Sequence, residues 1–127
     1  MNKHDDIKLI DFEILDDVKG LVNNDKFPVI LNYFLEDLDN YVADIVKGLE
    51  NSDVKAIINA SHTLKSSANQ IGAIMLGNIS SIIEEKGVDI EKGKGIIAEM
   101  KYMVHELELV ASDTKRVYEH YKVTNGL

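Results

Sequence analysis

The sequence contains no cysteine, a single proline and no long apolar run, and these absences narrow what the chain can be. Without cysteine there can be no disulfide, no thiolate metal site and no cysteine nucleophile. A membrane-spanning helix needs about 18 or more consecutive apolar residues, and no such run occurs. The first six residues are polar and lack the apolar core of a secretion signal. We therefore expect a cytoplasmic protein that does not bind membranes.

Basic residues are also few compared with acidic ones. The 127 residues include 22 acidic and 14 basic ones, which gives a formal net charge of −8. Proteins that bind nucleic acids usually present a basic surface to the phosphates, so we expect no nucleic-acid partner. The 45% hydrophobic and 28% charged residues are typical of a globular chain. The length is that of one domain, predicted here to cover residues 1–127.

Apolar residues recur every three or four positions along most of the chain, which predicts helices and no strands. The clearest series predicts a helix over residues 26–50, with Asp25 as N-cap and Pro28 in its first turn. Its apolar positions are Leu31, Phe34, Leu35, Leu38, Tyr41, Val42, Ile45 and Leu49.

Four further helices complete the predicted pattern. One lies near the N-terminus, with Ile7, Ile10, Ile14, Leu15, Val18, Leu21 and Val22 as its apolar positions. The next begins at Ser52 or Asp53 and stops at Gly72, and a fourth buries Ile82 among others and ends at Gly87. A mobile loop over residues 86–95 then precedes a last helix that reaches Tyr121. The predicted fold is all-α, an antiparallel up-down four-helix bundle with an additional N-terminal helix.

Residues 60–73 carry a polar stripe on the third predicted helix. His62, Lys65, Ser66 and Asn69 fall at i, i+3, i+4 and i+7, and therefore on one face. The opposite face carries Ile57, Ile58, Ser61, Leu64 and Ala68. An exposed neutral imidazole is a good nucleophile, and a helix fixes its direction. A lysine one turn away can offset the charge of a phosphoryl group, so the stripe suits a phosphoryl carrier.

This segment closely resembles the hallmark of the histidine phosphotransfer (Hpt) family, which is His-x-Leu-Lys-Gly followed by small residues, an apolar residue and Gly-Ala. The matching residues are His62, Leu64, Lys65, Ser67, Ile71, Gly72 and Ala73. The similarity covers roughly residues 25–87, with familiar flanks at residues 34–37 and 51–53. One position departs from the hallmark, because Ser66 stands where the family usually has glycine. We expect this serine to affect partner docking more than the carrier role.

The resemblance implies a role for each site residue. His62 is the phosphorylated residue, through its outward ring nitrogen, and Lys65 assists the phosphoryl group electrostatically. Glu84, on the following helix, hydrogen-bonds the inner ring nitrogen. Ser66 and Asn69 are expected to contact the partner.

The resemblance also implies the setting, which is a phosphorelay of a two-component system. The protein would carry a phosphoryl group between the aspartates of response-regulator receiver domains, with a hybrid histidine kinase as a further partner. It would act as a monomer, without a metal or cofactor of its own, since Mg²⁺ belongs to the receiver. Without a nucleotide site it would not be an enzyme.

Other functions remain open on the sequence alone. A helical adaptor could bind a receiver or kinase without being phosphorylated, since a bundle by itself does not decide function. Lys65 and Glu84 could then be ordinary surface charges. A phosphohistidine hydrolase would lack a second catalytic group. A di-iron bundle would need Glu-x-x-His motifs, and none occurs. The glycines at 87, 93 and 95 lack the spacing of a nucleotide-binding loop.

Overall fold

In the computed structural model, residues 8–127 are described, and this range contains helices but no strand. The helices are α1 (Phe12–Leu21), α2 (Phe27–Glu50), α3 (Val54–Gln70), α4 (Ile74–Glu91) and α5 (Lys101–Thr124), and a short 3-10 helix (Ile97–Met100) leads into α5. Short connections turn α2, α3, α4 and α5 back on one another as an up-down bundle, with α1 added at the N-terminus. The predicted all-α fold is confirmed.

All five helices contribute to one hydrophobic core. Its fully buried members include Leu15 of α1, Phe27 of α2 and Tyr118 of α5. The predicted core was wrong at three positions, because Ile82 is 40% exposed, Ile96 is 64% exposed and Leu21 is 84% exposed. Ile96 lies just before the 3-10 helix and Leu21 is the last residue of α1, while at Ile82 periodicity does not distinguish the core from its rim. The predicted apolar position at Ile7 lies outside the described residues.

Capping differs between the two helices for which it was predicted. Asp53 caps α3, where its carboxylate accepts a 3.1 Å hydrogen bond from the backbone N–H of Ala56. The prediction that Asp25 caps α2 was wrong, since Lys26 occupies that position and makes no side-chain cap bond. A backbone turn replaces the cap, because the carbonyl oxygen of Asn23 accepts from the N–H groups of Lys26 and Phe27. Pro28 lies in the first turn as predicted.

The predicted end of α4 at Gly87 was also wrong. The helix continues through Gly87 to Glu91, so residues 86–91 are helical and do not belong to the predicted loop. Gly87 is buried, and a Cβ atom on it would lie 2.7 Å from Cγ1 of Ile58 on α3. Glycine is therefore needed here for close packing of two helices, and it is tolerated within a helix for that reason.

Two hydrogen bonds link the turn between α3 and α4 to other parts of the bundle. Gly72 ends α3 as predicted, in the left-handed backbone region with φ +86°. Its carbonyl oxygen accepts a 2.7 Å hydrogen bond from the N–H of Asp11, just before α1. The neighbouring carbonyl of Ile71 accepts a 2.7 Å bond from the Tyr118 hydroxyl of α5. These bonds connect the turn to the segment before α1 and to α5.

Candidate functional site

α3 presents His62 on the outer surface of the bundle. Its neighbours Ser61 and Leu64 are fully buried on the opposite face of the helix. The Ser61 hydroxyl does not need an outside partner, because it donates to the carbonyl oxygen of Ile57 at 2.7 Å. The His62 side chain is 61% exposed. The sequence-based prediction of an exposed histidine on a firmly packed helix is therefore correct in geometry.

Glu84 of α4 links two of the predicted site residues. One carboxylate oxygen, Oε2, lies 2.6 Å from Nδ1 of His62. The other, Oε1, accepts a 2.6 Å hydrogen bond from the Nζ ammonium of Lys65. The antiparallel packing of α3 on α4 thus brings together residues 19 and 22 positions apart in the chain. We call His62, Lys65 and Glu84 the His–Glu–Lys triad.

The electrostatics of the triad favour an ionised Glu84. The hydrogen bond from Lys65 is the main cause that holds the pKa of Glu84 below its ordinary value, and it outweighs the opposing effect of partial burial. The bond from His62 lowers that pKa further. Because a carboxylate only accepts hydrogen bonds, Nδ1 of His62 must carry the ring proton. In the neutral ring, the lone pair then lies on Nε2, the nitrogen that does not contact Glu84.

Ser66 and Asn69 lie on the same exposed side of α3 as His62 but outside the triad. Ser66 is one helical turn beyond the histidine. Asn69 lies over Gly77 of α4, where a Cβ atom would be 2.8 Å from the Asn69 Cγ. The structure therefore brings three of the five predicted site residues into direct contact, and the other two extend the surface beside them.

Two grooves run between α2 and α3. One groove of about 400 Å³ is lined by residues that include Asp44, Asn59 and Thr63. A more apolar groove of about 370 Å³ is lined by Val18, Ile30, Tyr33, Phe34, Asp37, Ser67, Gln70 and Ile71. Sequence reasoning missed Tyr33, which is 63% exposed. The available signal was its position on the predicted helix outside the series of apolar positions.

The N-terminal helix contributes to the second groove through Val18. The sequence did not indicate which apolar residues of this region are exposed. In the structure Ile10 and Leu15 are buried, whereas Phe12 is 46% exposed and stacks on Tyr121 with ring centroids 6.1 Å apart.

Residues 8–127 contain no group of three or more histidine, aspartate or glutamate side chains arranged to hold a metal ion. None of the helices in the described part of the chain is long and apolar enough to cross a membrane.

Comparisons with known proteins agree with this geometry. The Hpt domain family matches residues 29–111. The chain is 25% identical over 92 residues to the phosphorelay intermediate protein rdeA of Dictyostelium discoideum. That alignment covers 71% of this chain but 36% of the relative, so the chain spans little more than a third of the relative's length.

A solved structure has a similar fold. It is the histidine-containing phosphotransfer protein B (HptB) of Pseudomonas aeruginosa PAO1, with a TM-score of 0.79 and 18% sequence identity. The superposition covers 91% of this chain and 96% of HptB. At that identity the likeness concerns the fold. The family match, however, includes α3, α4 and the whole triad, and the chain belongs to the Hpt domain family, whose members carry out histidine phosphotransfer in two-component phosphorelays.

Proposed function

We propose that this protein is a phosphorelay carrier that holds a phosphoryl group on Nε2 of His62. The observation that carries the proposal is the hydrogen bond between Nδ1 and Glu84, which leaves Nε2 as the nucleophilic nitrogen of a 61% exposed side chain. The histidine is held on a packed helix, so its direction is set before a partner arrives.

Each transfer is a displacement at phosphorus. The Nε2 lone pair forms a bond to the phosphorus of a receiver's aspartyl phosphate, and the P–O bond to the aspartate breaks. The electron pair of that bond leaves with the aspartate carboxylate. The proton on Nδ1 stays in place, and the negative charge of Glu84 offsets the positive charge that the ring gains. Reversal of the same step delivers the phosphoryl group to a second receiver.

The partners follow from this chemistry. Members of the family interact with receiver domains and histidine kinases. For this chain we propose a response-regulator receiver, and a hybrid histidine kinase as a further partner. The receiver would supply Mg²⁺ and most of the catalytic groups, since this chain is proposed to have no nucleotide site, metal or cofactor of its own. We further propose that the carrier is monomeric and cytoplasmic and that residues 1–127 form one Hpt domain.

The receiver is proposed to dock on the His62 side of the bundle. Ser66 and Asn69 are exposed on α3, the helix that carries His62, and α3 also lines the two grooves through residues such as Thr63 and Ser67. Exposed Tyr33 lines the second groove. An apolar patch beside polar groups is the usual composition of a protein interface. Ser66 lies one helical turn beyond His62 on α3, and it replaces the glycine usual in the family.

A transfer assay tests the proposal. A receiver carrying radiolabelled aspartyl phosphate is mixed with the wild-type protein, with His62→Gln and with His105→Gln, a change at an exposed histidine of α5. We expect label on the wild type and His105→Gln, stable in base and lost in acid, and none on His62→Gln. Receivers that bind the wild type but never label it would favour the adaptor function instead.

A further inference from the structure

Gly77 of α4 lies directly beneath the side chain of Asn69 on α3. Gly77 is buried, and a Cβ atom on it would lie 2.8 Å from Cγ of Asn69 and closer still to Oδ1. The three nearest atoms in that place, outside the adjoining backbone of α4, all belong to this one carboxamide. At Gly48 and Gly87, by contrast, the nearest atom belongs to an isoleucine of α3. The missing side chain of Gly77 therefore makes room for an exposed polar group and not for an apolar one.

Glycine is a poor residue for a helix, because its backbone loses more conformational freedom on folding than that of alanine. An isolated glycine within a helix therefore usually has a packing or a functional reason. An alanine methyl in place of Gly77 would meet the end of a flexible side chain, which can rotate away. The nearest neighbours thus give no reason for glycine in the packing of the bundle, but they give one in the placement of Asn69.

The carboxamide of Asn69 is available to a partner. The residue is exposed, and its backbone carbonyl accepts a 3.4 Å hydrogen bond from the N–H of Gly72, whereas its side chain is not hydrogen-bonded within residues 8–127. A carboxamide both donates and accepts hydrogen bonds, as does an exposed peptide unit on another protein. Contact with Gly77 restricts the side chain before a partner arrives, which lowers the entropic cost of binding.

We propose that Gly77 is a positioning residue for receiver docking, and that it acts through Asn69, whose carboxamide hydrogen-bonds a peptide unit on the receiver surface. This inference rests on the proposed function. Asn69 is seven residues beyond His62 on the same side of α3, or about 10 Å along the helix axis. A typical interface covers about 800 Å² on each partner and is roughly 30 Å across. A receiver centred on His62 therefore covers Asn69 as well.

A transfer assay with varied carrier concentration tests both residues. The donor is the receiver that labels the wild type in the assay above, and each variant gives a maximal rate and a half-saturating concentration. We expect Asn69→Ala to raise the half-saturating concentration about three- to tenfold, the range for one lost hydrogen bond, and to affect the maximal rate less. Gly77→Ala should act in the same direction, because its methyl displaces the carboxamide. Asn78→Ala, at an exposed asparagine of α4, is the control and should have no effect.

A double-mutant cycle shows whether Gly77 acts through Asn69. In an Asn69→Ala background, Gly77→Ala should change the half-saturating concentration less than about twofold, since no carboxamide is left to displace. An unchanged half-saturating concentration in either single variant, or equal effects of Gly77→Ala in both backgrounds, would overturn the inference.

Potassium phosphoramidate separates docking from the chemistry on His62. It serves as a phosphoryl donor without a receiver; its P–N bond breaks and ammonia leaves. At low carrier concentration, Gly77→Ala should slow transfer from the receiver at least threefold more than it slows phosphorylation by phosphoramidate. Equal slowing of the two reactions would place the effect at the histidine and overturn the inference.

Stability provides a readout that a merely structural role would move the other way. Gly77→Ala removes a glycine from a helix, so its urea midpoint should equal or exceed that of the wild type while receiver binding weakens. In ¹⁵N relaxation measurements, the side-chain amide of Asn69 should be more ordered than that of Asn78 in the wild type, and should become mobile in Gly77→Ala. A lower urea midpoint in Gly77→Ala, or equal mobility of the two amides in the wild type, would overturn the inference.

The two proposals fail in different ways. Label that persists on His62→Gln would overturn the proposed function and, with it, this inference. Loss of label in His62→Gln, together with an unchanged half-saturating concentration in Gly77→Ala, would overturn this inference alone.

Discussion

The hydroxyl of Tyr118 donates a 2.7 Å hydrogen bond to the carbonyl oxygen of Ile71, 47 positions earlier in the chain. Tyr118 is fully buried, and burial raises the pKa of its hydroxyl well above the usual range, so the group remains a donor. Ile71 lies in the turn that joins α3 to α4. The bond therefore connects α5 to the turn between the two helices that carry the triad.

We expect Tyr118→Phe to lower the free energy of unfolding by about 1–2 kcal/mol, because it leaves a buried carbonyl oxygen without its partner. The measurement is urea unfolding followed by circular dichroism. Tyr102→Phe is the control, since Tyr102 lies on the same helix but is 73% exposed, and its removal should change stability little. Equal stabilities of the two variants would show that the Tyr118 hydrogen bond makes no net contribution to the free energy of unfolding.

Close packing of α3 on α4 gives a second prediction. An alanine Cβ at Gly87 would lie 2.7 Å from Ile58 Cγ1, so Gly87→Ala should push the helices apart and destabilise the protein by about 1–3 kcal/mol. Gly20→Ala is the control, because nothing lies within 4 Å of a Cβ atom there and the residue is helical.

At Gly20 the substitution should be neutral or stabilising by up to about 1 kcal/mol, as expected from helix propensity. Both free energies come from the same denaturant titrations. If Gly87→Ala were as stable as Gly20→Ala, the close approach of the two helices would not require glycine.

Periodicity in the sequence was sufficient to predict the helices, and the residue spacing on α3 was sufficient to predict the exposure of His62. What it could not supply was information that depends on a second helix. Gly87 resembles a helix stop in sequence, yet it is a packing position because Ile58 occupies the space beside it. Asp25 and Asp53 are equally good N-caps by residue type. Asp53 does cap α3, whereas at the start of α2 a backbone turn at Asn23 takes the place of a cap by Asp25.

The contacts of the triad also depend on a second helix, which sequence periodicity does not place. Glu84 was chosen through a family resemblance, and its contact with Nδ1 agrees in geometry with that choice, while its role stays a prediction. The sequence placed Lys65 on the polar stripe with His62, but it gave no sign that Glu84 also binds this lysine. That contact depends on the register of α4 against α3, which the periodicity of a single helix does not give.

Stability should depend on pH through Glu84. Lys65 lowers the pKa of Glu84 below its ordinary value of 4.5, so the folded state favours the ionised form. The stabilisation is fully present above that ordinary value and is lost as the pH falls through the lower pKa of the folded state. We expect the wild type to exceed Glu84→Gln in stability by less than about 1 kcal/mol at neutral pH, since partly exposed pairs are weak.

That difference should shrink as the pH falls below 4.5 and through the lower pKa of Glu84 in the folded state. Unfolding free energies measured by urea titration at each pH provide the test, and Glu85→Gln, at an exposed neighbouring position, is the control. A stability difference that stays constant or grows in acid would contradict the assignment of the ion pair.

Ser66 allows docking to be separated from the chemistry on His62. Its side chain is exposed on α3 and lies outside the triad, so Ser66→Gly should leave the rate of phosphorylation by phosphoramidate unchanged. Transfer from a receiver should change, and receivers suited to glycine-bearing carriers should label the variant faster than the wild type. Both rates are measured with the same protein preparation.

The glycine itself should cost about 0.5 kcal/mol of stability in a helix interior. Ser112→Gly, at an exposed serine of α5, is expected to show a similar loss of stability with no change in transfer. The two variants therefore distinguish a docking effect from a general loosening of the bundle. If both slow or speed transfer alike, or if Ser66→Gly alters the phosphoramidate rate, then Ser66 does not act by contacting the partner.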